Sequence, residues 1–337
     1  MMKNNFKKIT SLLTVCATLF ISSTTFAQFT DMPEGEVGKA MTAAVENGLL
    51  NGMTETEIGP DQNITRAQMG TILARAMGAT KTQDISTFVD MTPDMWHYEY
   101  MSKAVAMGAF KGDDQNRMNP DNNITFQEAF VVLSRIFDLA DRKSNDTSNP
   151  FAGYTDASSV AEWAKADFGY ILKYGYWKTD NGLLRPTDYI TRAEFAVAMD
   201  NLVKTYIDEE DITGQQEIEV ETLAEDGTFV TNKKTVNIVS GLPEGNVVIR
   251  IGDVIVKDYN DANGDIYISD GVDKKVSFEN VTLNRIVARN GDVDFLSGTA
   301  VEIRMITPGL NCFIEQGSKV QFFDGEGCTV DFGFVEM

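Results

Sequence analysis

The sequence contains few of the residues on which catalytic and metal centres usually depend. Its 337 residues include a single histidine, which excludes zinc sites and reaction mechanisms that need two imidazoles. Basic residues are also scarce, since 29 Lys and Arg stand against 50 Asp and Glu, for a net charge of −21. Nucleic acids and anionic membranes are bound by basic surfaces, so neither is an expected partner. The hydrophobic content of 43% is nevertheless enough for packed cores, which excludes global disorder.

Long apolar runs are confined to the start of the chain. Three lysines in the first eight residues precede an apolar run at 9–21, and residues 25–27 form a small-x-small pattern. This order is typical of a secretory signal peptide, so we predict cleavage of residues 1–27 before Gln28. The apolar run is too short to span a membrane comfortably. We therefore expect a secreted chain without a membrane span, whose net charge changes from −21 to −24 when the three lysines are lost.

Cysteine is also rare. Beyond the predicted signal peptide the chain has two, Cys312 and Cys328. Two cysteines in an exported chain permit one disulfide, although a surface protein can also keep them as small buried apolar residues. We favour the disulfide.

Three segments of the chain repeat one ordered pattern. Each opens on an aromatic residue, any residue and Asp, passes a glycine, and reaches a proline four residues before an Ile-Thr pair. The openings begin at Phe29, Phe88 and Tyr154, and successive copies are about 60 and 66 residues apart. Chance does not place these residues in the same order three times, so the chain contains an internal repeat.

Each copy has the pattern of two helices joined by a loop. Apolar residues recur at helical spacing before the glycine and again after the Ile-Thr pair. In the first copy they are Met41, Ala44 and Val45, followed by Met69, Ile72, Leu73, Ala76 and Met77. A two-helix unit cannot bury its apolar face alone, so the copies should pack on one another. We predict one helical module over 28–207, with copies at 28–82, 83–142 and 150–207.

Each second helix is predicted to begin with a capping box. Thr65, Thr125 and Thr191 are each followed three residues later by Gln or Glu, which can exchange hydrogen bonds with the threonine. Arg66 and Arg192 occupy the first helical position in two copies, where the helix dipole disfavours a cation. A cation beside spare backbone N–H groups forms an anion site at a helix N-terminus. We therefore favour ligand binding over surface solubility as the role of both arginines.

These motifs resemble S-layer homology (SLH) motifs. The resemblance rests on the aromatic-x-Asp opening, the Gly-x-x-x-Gly of 48–52 and 108–112, the proline, and the Ile-Thr-Arg-Ala-Gln/Glu sequence. It implies a pseudo-threefold helical spindle whose grooves hold the secondary cell-wall polymer of a bacterium non-covalently. In that family the arginine meets an acidic, often pyruvylated, sugar of the polymer. Here that role falls on Arg66 and Arg192.

The copies depart from the family pattern at different positions. Phe126 stands where the second copy should carry the arginine, so one of the three grooves is expected to be weak or differently used. Thr179 replaces the second glycine of the third copy. Lys111 and Lys178, at matching positions beside these glycine sites, are candidate replacement cations.

Two tryptophans lie near the start of the first helix in the second and third copies. Trp96 and Trp163 are candidates to stack on sugar faces, although aromatic residues at such positions more often belong to the core. His97 follows Trp96 and has no catalytic partners in the sequence. We expect it to be a polar surface or capping residue.

The remainder of the chain has a different character. Residues 208–216 are acidic and are predicted to form a linker. Over 217–337, short β-rich runs alternate with Gly, Asn and Asp turns, and from Gly264 strands return every nine or ten residues. This texture resembles the β-solenoid segments of some bacterial surface proteins, with a compact sandwich as the alternative. The predicted fold class is therefore multidomain, α plus β.

The function expected from the sequence is non-covalent anchoring to the bacterial cell wall, with the β-rich domain serving structure or interaction. A wall-attached, polysaccharide-active enzyme with its catalytic part in that domain is the alternative. The Asp and Asn residues of 258–264 resemble a calcium loop, but no Glu stands at the twelfth position to complete an EF-hand. We expect no cofactor and no metal.

Overall fold

The computed structural model describes residues 29–142, 147–179, 181–223 and 228–333. The predicted signal peptide at 1–27 lies outside these ranges. Six α-helices occupy the first part of the described chain, two in each repeat. They are α1 (Gly35–Glu46), α2 (Arg66–Ala76), α3 (Tyr98–Ala106), α4 (Phe126–Ile136), α5 (Lys165–Lys173) and α6 (Arg192–Leu202). Two residues after the first helix of each repeat stands a glycine with positive φ, the left-handed conformation that commonly terminates a helix. These glycines are Gly48, Gly108 and Gly175.

The three repeats close into a ring through the backbone of their Ile-Thr segments. The N–H of Ile64 donates to the carbonyl of Ile190 at 3.0 Å, that of Ile124 to Ile64 at 3.0 Å, and that of Ile190 to Ile124 at 3.1 Å. All three isoleucine side chains are fully buried. Each repeat thus donates to one neighbour and accepts from the other, which is the pseudo-threefold arrangement that the sequence predicts.

Helix packing follows the same cyclic order. Helix α2 packs on α3, α4 packs on α5, and α6 closes the ring on α1. The second helix of each repeat therefore covers the first helix of the next repeat. A single apolar core runs through all three repeats, with Met69, Phe130 and Phe195 among its fully buried side chains. This sharing of one core explains why three copies are needed.

The rest of the described chain is β structure. Its thirteen strands are β1 (Thr205–Ile207), β2 (Gly214–Leu223), β3 (Phe229–Ser240), β4 (Val247–Ile249), β5 (Val254–Lys257), β6 (Asn260–Ile268), β7 (Val276–Glu279), β8 (Val281–Ala288), β9 (Val293–Phe295), β10 (Gly298–Met305), β11 (Asn311–Ile314), β12 (Lys319–Asp324) and β13 (Thr329–Asp331). One sheet has the order β1-β4-β6-β8-β10-β12 and the other the order β13-β11-β9-β7-β5-β3-β2. Strands that follow each other from β4 onward therefore alternate between the two sheets.

Successive turns of the chain stack in register. Ile266 pairs with Val247 on one side and with Ile286 on the other, and Ile303 pairs with Ile286 and Phe323. The pairing is parallel throughout the described strands except between β2 and β3, which form an antiparallel hairpin. Parallel stacking of two-strand turns is a β-solenoid, as predicted, and the sandwich alternative is wrong.

The predicted linker at 208–216 is also wrong. Strand β1 begins at Thr205, directly after α6, and pairs with β4 in the solenoid. Residues Glu209–Asp211 form one 3-10 turn, and β2 begins at Gly214. The acidic composition of this stretch reflects a tight, exposed turn between two strands.

The solenoid lies against the C-terminal ends of the helices, where three arginines bind backbone carbonyls that have no partner within their own helix. Arg285 donates to the carbonyls of Phe137 and Asp138 at 3.1 and 2.9 Å. The remaining contacts run from Arg289 to Ile136 and Met107, and from Arg250 to Arg75 and Asn47. Val248, Tyr267 and Val287 of the solenoid belong to the helical core. The two parts of the chain thus share one buried interface.

The two cysteines of the solenoid are free thiols, so the structure does not contain the predicted disulfide. Cys312 lies on β11 with 2% of its surface exposed. Burial raises the pKa of its thiol to about 12. Cys312 therefore has the alternative role weighed from the sequence, that of a small apolar core residue.

Candidate functional site

The opening motif of each repeat fixes the loop that precedes the second helix. The Asp31 carboxylate accepts the N–H groups of Ile58 and Gly59 at 2.7 and 2.8 Å. The same pair of bonds runs from Met118 and Asn119 to Asp90, and from Leu184 and Arg185 to Asp156. The aromatic residue of the motif packs on the second glycine, because a Cβ at Gly52 or Gly112 would overlap the ring of Phe29 or Phe88. These motif residues are explained by structure alone.

The three capping boxes are present, and they leave no donors for an anion. In α2 the N–H of Gln68 donates to the Thr65 hydroxyl at 3.2 Å. The N–H groups of Arg66 and Ala67 donate to the carbonyls of Asn122 and Pro120 in the next repeat at 3.0 and 2.9 Å. Helices α4 and α6 repeat these bonds. The expectation of spare N–H groups beside Arg66 and Arg192 is wrong, because the neighbouring repeat uses them.

The first groove is built around Arg192 and encloses a cavity of about 190 Å³. The guanidinium donates to the carbonyls of Ile58 and Asn51 at 2.9 and 2.6 Å, and the residue is only 4% exposed. Burial lowers its pKa, which the Asp31 carboxylate opposes. The other lining residues come from the first repeat and the start of α3, and include Leu49, Leu50, Gly52, Gln68, Arg75 and Trp96. We call this the Arg192 groove.

The second groove, here the Arg66 groove, has a volume of about 200 Å³. The Arg66 guanidinium donates to the carbonyl of Met118 at 2.9 Å and lies 5.0 Å from the centre of the Phe110 ring. Lys111 is exposed and lines the same groove. Burial lowers the pKa of Arg66, and the carboxylates of Glu128, Asp113 and Asp90 oppose this shift. The groove therefore holds two cations, of which Arg66 is half-buried and Lys111 is exposed.

The corresponding position between the second and third repeats differs in chemistry. Phe126 is fully buried, and its ring centre lies 5.3 Å from that of Trp177. The Arg185 guanidinium lies 4.7 Å from the centre of the Phe126 ring and forms an ion pair with Glu194. We call Phe126, Trp177, Arg185 and Glu194 the Phe126 cluster. Sequence reasoning missed Arg185, although it precedes the motif proline where the other copies have Gly59 and Asn119.

Of the remaining predicted site residues, one lines a groove described above and two do not. Trp96 lines the Arg192 groove with 64% of its surface exposed. Trp163 is 58% exposed, and Lys178 is exposed beside Gly175; neither lines the two grooves described above. His97 is 3% exposed, its ring is 5.1 Å from that of Trp96, and its side chain makes no capping bond. The expectation of a surface or capping histidine is wrong, because the side chain is buried and packs against the ring of Trp96.

Within the ranges that the structure describes, no three His, Cys, Asp or Glu side chains come together in a way that suits a metal ion. No helix in those ranges has the length and apolar character needed to cross a membrane.

Comparison with protein families identifies the repeats. The S-layer homology domain family matches residues 28–69, 87–130 and 153–196. The chain contains three S-layer homology domains. Each matched segment contains the aromatic-x-Asp opening, the loop and the capping box, so the SLH domains supply the ring and both grooves. The motif resemblance seen in the sequence is confirmed.

Relatives of the chain include surface proteins and polysaccharide-degrading enzymes by name. The surface-layer 125 kDa protein of Lysinibacillus sphaericus is 27% identical over 233 residues, which are 66% of this chain and 19% of that protein. Cell surface glycoprotein 1 of Acetivibrio thermocellus is 31% identical over 163 residues, 45% of this chain and 7% of that protein. An amylopullulanase of Thermoanaerobacterium thermosulfurigenes is 22% identical over 177 residues, 52% and 9% of the two chains. The chain spans less than a fifth of each of these three relatives.

These comparisons show where the protein is located. SLH domains together with surface-layer, cell-surface and cell-wall relatives identify a secreted protein of the bacterial cell surface or wall. Its function includes anchoring at that surface.

Proposed function

We propose that the SLH domains anchor the protein non-covalently by binding a secondary cell-wall polymer, an acidic and often pyruvylated glycan, in the grooves between repeats. The solenoid then serves as a displayed structural or interaction domain. The observation that carries this proposal is the Arg66 groove, in which Arg66 and Lys111 face one cavity at the boundary between two repeats. A pair of cations in a groove of this size matches a sugar that bears a carboxylate.

Local charge has to outweigh the charge of the whole chain. The secreted chain, with a net charge of −24 after the predicted loss of three lysines from −21, repels an anionic polymer at long range. At physiological salt the Debye length is about 8 Å, so the groove residues dominate once the polymer is in contact. A hydrogen bond to a charged group contributes about 1.5–3 kcal/mol. The carboxylates of Asp113 and Glu128 also line the Arg66 groove, but Asp113 is paired with Arg117 and Glu128 accepts the Thr125 N–H. The two cations therefore supply a weak site for an anion, and several grooves on one module add avidity.

The Arg192 groove supports the same function with different chemistry. Its arginine donates to two loop carbonyls, which uses two of the five N–H groups of a guanidinium. Trp96 presents an exposed ring and Gln68 an amide to the same cavity. An aromatic ring beside an amide suits the apolar face and the hydroxyls of a sugar. In this groove we assign contact with the glycan to Trp96 and Gln68, and both loop positioning and charge to Arg192.

Display of the solenoid follows from the direction of the helices. Each second helix begins at the ring of Ile-Thr segments, and the ends of α2 and α4 meet Arg250 and Arg285 of the solenoid. A helix of eleven residues is about 16 Å long. The capping boxes beside the grooves and the solenoid thus lie at opposite ends of the helices. The lining of the Arg66 groove lies at the capping-box end, so a wall bound there leaves the solenoid directed away from it. The Arg192 groove extends along α2 as far as Arg75.

Sedimentation with purified cell walls tests the proposal. The full secreted chain should sediment with walls of the producing bacterium and should remain in solution when the secondary polymer has been removed from the peptidoglycan. Addition of the released polymer should compete with intact walls. Equal sedimentation with stripped walls would contradict the proposal, because the ligand would then be the peptidoglycan itself.

A wall-attached polysaccharide-active enzyme is the second candidate. It is favoured by the relative named amylopullulanase, which shares a segment equal to 52% of this chain. The full chain should therefore be assayed for release of reducing sugars from α-glucans, β-glucans and wall polysaccharides. Turnover on any of these would show that the protein does more than anchor and display.

A further inference from the structure

The Arg66 groove and the Phe126 cluster each contain a guanidinium stacked on an aromatic ring. The helix supplies the guanidinium in the first and the ring in the second. In the Arg66 groove the cation comes from the first position of α2, and the ring below it, Phe110, comes from a loop. In the Phe126 cluster the ring comes from the first position of α4, and the cation, Arg185, comes from a loop. The distances from guanidinium carbon to ring centre are 5.0 and 4.7 Å. A guanidinium stacked on an aromatic ring is therefore kept although the helix has lost its arginine.

We infer that Arg185 replaces the missing arginine of the second repeat and makes the Phe126 cluster a third binding site for an acidic sugar. This inference rests on the proposed function, since it assigns to the third boundary between repeats the same class of ligand as to the other two.

The accessibility of Arg185 suits this role. Its side chain is 36% exposed, whereas Arg192 is 4% exposed and is committed to loop carbonyls. The fully buried ring of Phe126 supports one face of the guanidinium and leaves the other available. Arg185 is thus more open to a ligand than the motif arginine of the Arg192 groove.

The capping-box residue beside Arg185 has an equivalent in each of the other sites. Glu194, its ion-pair partner, is the capping-box residue of α6 and accepts the Thr191 N–H at 2.9 Å. Its equivalent Glu128 lines the Arg66 groove, where its charge acts on Arg66. Gln68 occupies the same position in the Arg192 groove. The capping-box residue next to each cation is therefore a shared element of all three sites, and Glu194 does not distinguish the third from the second.

Two further groups of the same loop have unused hydrogen-bonding capacity. The indole N–H of Trp177 and the hydroxyl of Thr179 are buried, and neither has a hydrogen-bond partner within the described residues. Trp177 is 6% exposed and packs directly on Phe126. Buried polar groups are normally satisfied by protein, water or ligand. Hydroxyl groups of a bound sugar are suitable partners for both.

The backbone at Arg185 gives an independent argument. Its φ is 52°, in the left-handed region, as are those of Gly59 at 67° and Asn119 at 50° in the equivalent positions. Glycine and asparagine adopt this conformation more readily than arginine does. The backbone conformation therefore does not favour an arginine at this position, and the contacts that hold one there, with Phe126 and Glu194, indicate that a charge is needed beside Phe126.

Trp177 provides a direct reporter of the third site. In a full chain carrying Trp96→Phe and Trp163→Phe, Trp177 is the remaining tryptophan. The probe is an acidic oligosaccharide released from the secondary polymer of the producing bacterium. We expect a saturable change of Trp177 emission on titration. Arg185→Asn, which suits the positive φ, should weaken this response at least tenfold. The same change in a chain that keeps all three tryptophans should leave wall sedimentation through the other grooves in place.

A rescue variant separates charge from fold. Phe126→Arg combined with Arg185→Asn recreates the arrangement of Arg66 and Asn119, and it should restore the affinity that Arg185→Asn loses. Failure of Trp177 to respond in a parent that still sediments with walls would overturn the third site and leave the proposed function standing. An unchanged response in Arg185→Asn would likewise overturn the role of Arg185. Loss of wall sedimentation by the chain that keeps all three tryptophans would contradict the proposed function itself.

Discussion

The guanidinium of Arg285 on β8 donates to the backbone carbonyl of Phe137, at the end of α4 and 148 residues earlier in the chain, at 3.1 Å. Arg285 is 1% exposed and also pairs with Asp265, which is fully buried, at 3.3 Å. This contact joins the solenoid to the SLH domains by a buried cation at a helix C-terminus, where positive charge is favourable. The anchoring and displayed parts of the protein thus form one packed body.

Replacement of Arg285 by Met is expected to destabilise the whole chain. Removal of one partner of a buried ion pair costs about 3–5 kcal/mol because the other charge is left without compensation. Arg117→Met is a matched control, since Arg117 is 41% exposed and its ion pair with Asp113 is worth less than about 1 kcal/mol. Guanidinium chloride unfolding, followed by circular dichroism, measures both. Equal losses in the two variants would show that the interface contributes nothing specific.

Arg192→Ala should lower stability more than Arg66→Ala. The first change removes the donors of two carbonyls, at a cost of about 1–3 kcal/mol for that of the buried Ile58 and about 0.5–1.5 kcal/mol for that of the exposed Asn51. The second removes one donor, that of the buried Met118 carbonyl, at about 1–3 kcal/mol, so the additional bond to Asn51 sets the difference between the two variants. Thermal melts of the two variants give the comparison. Identical melting temperatures for both variants and the parent would mean that neither arginine positions a loop.

Asp113 should make the Arg66 groove sensitive to acid. A hydrogen bond from the Asn119 amide, with further bonds from the Arg117 and Gln115 N–H groups, lowers its pKa from 3.8 to about 2. A carboxyl group whose pKa is depressed in the folded state stabilises the fold above its unfolded pKa, and this contribution is lost as the pH falls from about 4 to about 2.

The variant Asp113→Asn should therefore show a smaller loss of stability than the parent between pH 4 and pH 2. Melting temperatures measured across this range test the effect, and Asp114→Asn, which changes the adjacent residue, is the control. A parallel pH dependence in the parent and the Asp113 variant would contradict the assigned hydrogen bonds.

Local features of the fold were predictable from the sequence, and long-range ones were not. The capping boxes at Thr65, Thr125 and Thr191 depend on residues three positions apart, so the sequence pattern identified them. The ring partner of Ile64 is Ile190, far along the chain, and the use of the Arg66 N–H by the Asn122 carbonyl follows from that ring. Spare donors at the helix N-termini were therefore expected where the assembled module has none.

The same limit explains the missed site residue and the missed strand. Arg185 of the third repeat is a candidate binding residue because it stacks on Phe126 of the second repeat. A motif-by-motif comparison looks for the cation at position 126 itself and therefore misses this contact between repeats. The acidic stretch 208–216 has the composition of a linker, but its flanking strand β1 is recruited by pairing with Val247–Ile249. Solenoid stacking was predictable because its repeat is local in sequence. The docking of the solenoid on the helix ends had no sequence signal.

The central claim is that cations in the grooves between SLH repeats hold the protein on the cell wall, and the double variant Arg66→Gln, Lys111→Gln tests it most directly. The control is Lys39→Gln, a cation of α1 that is 74% exposed and lines neither groove. Loss of one charge-assisted contact of about 1.5–3 kcal/mol should weaken wall affinity about ten- to a hundredfold in the double variant. Wall sedimentation across a salt series, with melting temperatures measured in parallel, provides the readout. The account predicts weaker binding with a normal fold and unchanged binding in the control; full wall affinity in the folded double variant would contradict it.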